Sequence, residues 1–241
     1  MIPFKTIRKR AEARKGGTKA LAQLLPDVPD RRALTHVPDD RALAEMTRRI
    51  FCSGFVWRVI GQKWPGFEIA FQGFDVHRLC FEPDEYWETL AGDETIVRHP
   101  QKIMAVRHNA HFVADIANKH GSFGHFLANW PPDDQMGLLA LLSKRGKRLG
   151  GMTGQYFLRY IGWDGFVLSR DVVACLRDAG AGIAEMPTSK RDLVKAQQMM
   201  LAWARESGLP MTHVSRIAAM SIGENTPFDR LDNGESKGEG E

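Results

Sequence analysis

An all-α fold is what this sequence of 241 residues predicts, on three observations. Apolar residues recur at i, i+3 and i+4, the spacing that lays a buried stripe along a helix. Glycine, proline, serine and aspartate fall between those stretches, where helices start and stop. No stretch keeps the strict alternation of a half-buried strand. With 43% hydrophobic and 26% charged residues, the chain has ample material for a core.

Taken in order, residues 4–25 read as a basic amphipathic helix interrupted at Gly16-Gly17. LLPDVPDR follows as a loop, because its two prolines lie three residues apart. Asp39 or Asp40 caps a helix to about Arg49, with Leu43, Met46 and Ile50 on one face. The apolar run IFCSGFVWRVIGQKW then breaks at Pro65-Gly66, and PGFEIAFQGF forms a short helix ending near Gly73. Pro83-Asp84 starts a helix through Trp87 and Leu90. The longest helix is expected from Ile96 to about His120, on Ile103, Val106, Ala110, Val113 and Ala117, with Gly121 as its stop.

SFGHFLANW is a short helix ended by Pro131-Pro132, and Gly137 to Ser143 leads into a basic cluster. Beyond that cluster, a helix runs over Arg170–Ala179. Ser189 with Asp192 forms a capping box for the next one, through Trp203 to Ser207, and a last helix reaches about Ile222. The total is about ten helices in a single domain, residues 1–222. Residues 223–241 carry six acids against two bases and many glycines, and are expected to form a disordered acidic tail.

Net charge is +4, unevenly placed: residues 1–32 hold nine Lys/Arg against three Asp/Glu, and without the acidic tail the body is about +8. A basic body suits a polyanionic partner. No apolar run reaches the ~18 residues of a membrane span, and the basic N-terminal stretch lacks a signal-peptide core. Cys52, Cys80 and Cys175 are far apart, with no CxxC pair, which suits a reducing cytoplasm and argues against a disulfide framework. A cytoplasmic, monomeric protein without membrane contact is expected.

The stretch KRGKRLGGMTGQYFLRYIGWDGFVLSRD, Lys144 to Asp171, carries the clearest functional signal. A glycine hairpin flanked by Lys144, Arg145 and Lys147 leads through Gly150, Gly151, Thr153 and Gly154 into a helix. Glycine lets the backbone approach a phosphate, and the helix start offers unpaired N–H groups. A plain helical corner with solvated charges fits the same pattern.

Three separate motifs, in order over roughly residues 36–175, add to this reading. They are Val37-Pro38 with Leu43-Ala44-Glu45-Met46 and Gly54-Phe55-Val56-Trp57; Ile96-Val97-Arg98-His99-Pro100-Gln101-Lys102-Ile103 with Asn109-Ala110; and Leu142-Ser143-Lys144-Arg145-Gly146 with Gly151-Met152-Thr153-Gly154-Gln155-Tyr156. Together they resemble the 3-methyladenine DNA glycosylase I family of the helix-hairpin-helix glycosylase superfamily. The resemblance implies a two-lobed, all-α helix-hairpin-helix DNA glycosylase-like fold with an interlobe cleft. It also implies double-stranded DNA with damaged bases as the partner. The implied activity is hydrolysis of the N-glycosidic bond of alkylated purines, a step of base excision repair. A non-catalytic helix-hairpin-helix protein that recognises damaged or distorted DNA is the alternative.

Residue by residue, the resemblance places Trp57 in the base pocket, with Phe55 and Phe51 as further aromatic candidates. A flipped base needs aromatic faces, and a cationic alkylpurine stacks well on indole. The family's pocket glutamate falls around Arg48 to Ile50, where no acid stands; Glu45 lies one turn earlier. Gln155 takes the place of a strand-nicking lysine, so no lyase chemistry is expected. Ser169 takes the place of the superfamily's catalytic aspartate and reads as a helix N-cap, which leaves Glu45 and Asp171 as weak catalytic candidates. The family's zinc site needs two cysteines and two histidines near the termini. This chain lacks such a set, so neither metal nor cofactor is expected.

Overall fold

The computed structural model describes residues 2–223, and the expected acidic tail lies almost wholly outside them. Among the described residues there are thirteen α-helices, two 3₁₀ segments and no strand, so the all-α expectation holds. Helices α1 (Phe4–Lys15) and α2 (Thr18–Gln23) are separated at Gly16-Gly17. A 3₁₀ segment, Arg31–His36, precedes α3 (Asp39–Cys52) and α4 (Trp57–Ala70). A second, Gln72–Phe74, precedes α5 (Val76–Phe81), α6 (Asp84–Leu90), α7 (Pro100–His120) and α8 (Phe123–Asn129). The described residues continue with α9 (Gln135–Arg145), α10 (Gly151–Tyr160), α11 (Arg170–Asp178), α12 (Lys190–Ser207) and α13 (Met211–Met220).

These helices bury two apolar cores. The first gathers residues from Leu34 to Trp163 and is built on α3, α7 and α10. The second joins the first helices to the last described ones: Phe4, Ile7, Ala11 and Leu21 pack with Phe166 to Met220. Trp203 is fully buried there against Phe4, and its indole N–H donates to the carbonyl of Ile2.

The segment between the cores, Trp163 to Leu168, is buried without being helical, so its backbone groups need partners. Side chains supply them. Gln135 accepts from Phe166 N–H at 2.9 Å and donates to its carbonyl at 2.7 Å. Ser215 accepts from Val167 N–H, and Gln155 accepts from Leu168 N–H at 2.6 Å. Asp164 accepts the first two N–H groups of α13, from Met211 and Thr212, and so fixes that helix to the crossing.

Several element boundaries depart from the sequence expectation. α4 runs through Pro65 instead of breaking there. The rings of Trp64, Phe67, Phe71 and Phe74 stack in succession on both sides of the proline, and that packing outweighs the lost hydrogen bond. α7 starts at Pro100 and not at Ile96, because His99, preceding proline, is extended (φ −134°, ψ 93°). α5, capped by the Asp75 carboxylate on Arg78 N–H, was not expected. The serine caps stand as read: Ser169 Oγ accepts from Val172 N–H, and Ser189 Oγ from Asp192 N–H.

Candidate functional site

The basic cluster forms a tight corner between α9 and α10. Asn109, fully buried on α7, clasps it by accepting from Lys147 N–H at 2.7 Å and donating to the Lys147 carbonyl at 3.1 Å. His108 contacts the Arg145 carbonyl at 2.9 Å through Nε2, and Arg148 bonds Gln101. Leu149 anchors the turn in the first core. Gly151 has φ +58°, and a Cβ on Gly154 would lie 2.4 Å from the Leu149 carbonyl, so both positions require glycine.

No side chain caps α10, since its N-cap is Gly150. Its first N–H groups are therefore open to an anion, with Lys144 and Lys147 exposed beside them. Arg145 differs from its neighbours. Its guanidinium pairs with Asp115 at 3.1 Å and lies over Phe112 at 5.3 Å, which ties the hairpin to α7. A cavity of about 300 Å³ adjoins Lys147 and is bordered by Met104, Arg107, His108 and His111.

The same short helix carries the second half of the site. Tyr156 and Tyr160, one turn apart on α10, both meet Trp57 edge-on, at centroid distances of 5.3 and 5.9 Å. Trp57 opens α4, and the C-terminal half of α3 faces it. From there the Arg49 guanidinium lies 4.9 Å from the Trp57 ring and 4.0 Å from the Tyr160 ring. Its Nε is 2.7 Å from Glu45 Oε1, although neither atom finds a partner of good hydrogen-bond geometry. Burial pushes the Glu45 carboxyl above its ordinary value, against the opposing pull of Arg49 and Arg48.

This corner revises the sequence expectation. Trp57 does stand in an aromatic group, but the cation on its face is the protein's own, only 6% exposed. A second cation at ~4 Å would meet a repulsion of about 4 kcal/mol at an effective dielectric of about 20. Phe51 is fully buried in the first core, edge-on to Phe67 at 4.7 Å, and is not part of the corner. Phe55 is 39% exposed and lies over the Lys102 ammonium at 4.4 Å. Asp171 sits in the first turn of α11, beside Gly223 and within the second core's helices, whereas Glu45 is at the corner.

Two motif residues act on the backbone. Lys102 is buried and donates to the carbonyls of Ser53 (2.5 Å) and Phe51 (3.3 Å), closing the end of α3. Burial pushes its ammonium down to about 8. Gln155, at the position of a lyase lysine, holds the crossing segment. Sequence reasoning missed Arg49 and Tyr160, although the pairs Glu45/Arg49 and Tyr156/Tyr160 are each spaced i, i+4.

Zinc does not fit the donors present. Cys52 and Cys175 are buried in different cores and Cys80 is half-buried. Among the described residues, no group of three or more His, Cys, Asp or Glu is placed to hold a metal. No described helix is long and apolar enough to cross a membrane.

Fold and site together define a two-cored, all-α protein with a basic helix-hairpin-helix corner joined to an aromatic group. Residues 33–137 match the methyladenine glycosylase family. The match includes Glu45, Arg49, Trp57, Lys102 and Asn109 and stops before the hairpin.

Among solved structures, the chain is similar to a 3-methyladenine DNA glycosylase I, at 21% identity over 56% of this chain and 82% of that one, TM-score 0.48. It is also similar to the Staphylococcus aureus 3-methyladenine DNA glycosylase I, at 22% identity over 53% and 78%, TM-score 0.47. No curated protein matches it.

Proposed function

We propose that this protein is a monofunctional DNA glycosylase that hydrolyses the N-glycosidic bond of alkylated purines in base excision repair, leaving an abasic site. One observation carries the reading. α10 begins as an uncapped helix end in a basic hairpin and, one to two turns later, presents Tyr156 and Tyr160 to Trp57. A ten-residue helix is ~15 Å long, so backbone grip and base pocket lie within the reach of one extruded nucleotide.

In this reading Lys144, Lys147 and the N–H groups of Gly151 to Thr153 hold a phosphate, and the base lodges against Trp57. Glu45 is the acid of the corner, placed to stabilise positive charge on the sugar or to orient water. Water is the nucleophile, since Gln155 offers no amine and Lys102 is occupied by two carbonyls. The partner is duplex DNA, met by a cytoplasmic monomer.

Incubation of the purified protein with alkylated DNA, followed by chromatography of released bases, tests this. Free alkylpurine, lost in Trp57→Ala, with strands intact until alkali cleaves the abasic site, is the expected result. The pairing of Arg49 with Glu45 favours a second reading, a non-catalytic sensor of damaged or distorted DNA, in which the corner is closed by its own ion pair. Tight lesion binding with no base released from any substrate would decide for the sensor.

A further inference from the structure

We propose that a cavity at the junction of the two cores binds a small aromatic monoanion, such as an aromatic carboxylate. The walls take the ring and Arg31 takes the anionic head. The proposal stands apart from the glycosylase reading and uses none of its residues.

The cavity has a volume of about 400 Å³ and is walled by Pro29, Pro132, Trp163, Leu209, Pro210 and Met211. Trp163 belongs to the first core and Met211, with Leu209 packed beside it, to the second, so each core contributes a face. Three links hold the walls in place. His213 Nε2 meets the Pro26 carbonyl at 2.8 Å, which ties the loop before Arg31 to α13. The Trp130 indole N–H donates to the Asp134 carbonyl at 2.8 Å and closes the Pro131-Pro132 turn. Asp164 accepts the Met211 and Thr212 N–H groups at 2.9 and 2.8 Å, which sets the start of α13. Three proline rings stiffen the lining further, so the site is formed before a ligand arrives and little conformational entropy is lost on binding.

The charges in the lining decide what it takes. Only Arg31 and Asp164 are charged there. The Asp164 carboxylate has both oxygens on the N-terminus of α13, which stabilises its charge. Arg31 is anchored by its Nε–H, which donates to the Ala128 carbonyl at 2.6 Å, and among the described residues it pairs with no acid. Burial pushes its guanidinium below the ordinary value, and no neighbouring carboxylate raises it again. A fixed guanidinium without a counter-ion attracts a carboxylate, and its planar fork matches both oxygens.

Other ligand classes fit less well. A cation would be repelled by Arg31. A nucleotide or sugar brings several donors and acceptors, which the hydrophobic side chains of the remaining lining would leave unpaired. A neutral hydrocarbon would fill the walls and leave Arg31 without an anion. A ring bearing one carboxylate satisfies both parts of the site.

The test uses the full chain, with 2-naphthoate as the anionic probe and 2-naphthalenemethanol as its neutral counterpart. Affinity is measured by isothermal titration calorimetry. The site is located by the shift of the Trp163 indole N–H resonance, assigned with Trp163→Phe. The expected result is saturable one-site binding of 2-naphthoate at about 1 mM or tighter, a shifted Trp163 resonance, and roughly tenfold weaker binding of the alcohol. Arg31→Gln should remove that preference and leave the affinity for the alcohol unchanged.

Because Arg31→Gln also loses the bond to Ala128, two further variants keep the test decisive. Arg31→Lys retains the charge without the fork and should keep part of the preference. Leu209→Ala leaves Arg31 in place and should weaken both probes alike. No saturable binding of 2-naphthoate, equal affinity for the two probes, or a preference untouched by Arg31→Gln would overturn the proposal. Base release from alkylated DNA should be the same in Arg31→Gln as in wild type, so failure here and failure of the glycosylase reading are told apart.

Discussion

Asn109 closes both backbone polar groups of Lys147 with one carboxamide, accepting at 2.7 Å and donating at 3.1 Å. The asparagine is fully buried on the longest helix, and the lysine is exposed at the tip of the hairpin. The hairpin's geometry is therefore set from the first core and not by the turn alone. Truncation to alanine leaves a donor and an acceptor without partners, a loss of about 1–3 kcal/mol. Asn109→Ala is expected to lower the urea midpoint and weaken DNA binding together. Asn109→Asp should rescue neither, because a carboxylate cannot donate to the Lys147 carbonyl. Undiminished DNA affinity in a folded Asn109→Ala protein would remove the hairpin from the interface.

The basic residues of the hairpin divide by their partners. Each lysine that neutralises a phosphate contributes about 0.9 to the slope of log K against log salt on duplex DNA. Lys144→Ala with Lys147→Ala is expected to reduce that slope by about 2. Arg145 already pairs with Asp115 and covers Phe112, so Arg145→Ala should act mainly on stability, with little change of slope. Anisotropy titrations between about 50 and 200 mM salt distinguish the two behaviours. An unchanged slope in the double lysine variant would exclude both residues from phosphate contact.

Gln155 is placed as a scaffold residue by its 2.6 Å bond from Leu168 N–H. Replacing it with alanine leaves a buried N–H unsatisfied, at a cost of about 1–3 kcal/mol. Gln155→Lys also removes the acceptor and puts an ammonium where burial disfavours charge. It is expected to destabilise the protein without creating strand cleavage or a borohydride-trapped DNA adduct. A trapped adduct would show that this position faces the sugar.

The contrast between Ser169 and Arg49 shows where sequence reading reaches its limit. Ser169 caps α11, Ser189 caps α12, and Gly150-Gly151 opens α10 through chemistry confined to three or four neighbouring residues, so each was readable locally. Trp57 was readable because its motif is short and continuous. The passage of α4 through Pro65 depends on rings from four positions, including Phe74 beyond the helix, and local rules favoured a break. The corner itself needs α3, α4 and α10 to converge. Periodicity says that Glu45 and Arg49 share a face, but not that this face meets two aromatic rings from elsewhere in the chain.

Lys102 should leave a signature in the pH dependence of stability. Burial pushes its ammonium down to about 8, whereas an unfolded-chain lysine titrates near ~10.4. Below pH 8 the group is charged in both states and the cost of burying the charge is borne in full. Between about pH 8 and ~10.4 the unfolded chain binds more protons, so this group's contribution to stability rises with pH. Lys102→Met removes the titration along with the bonds to Ser53 and Phe51. Wild type is expected to be more stable than the variant throughout, with the gap widening from pH 7.5 to 10 in urea unfolding. The neutral amine still donates to the Ser53 carbonyl, so the end of α3 stays closed across that range. Parallel curves would mean that Lys102 titrates as an ordinary lysine.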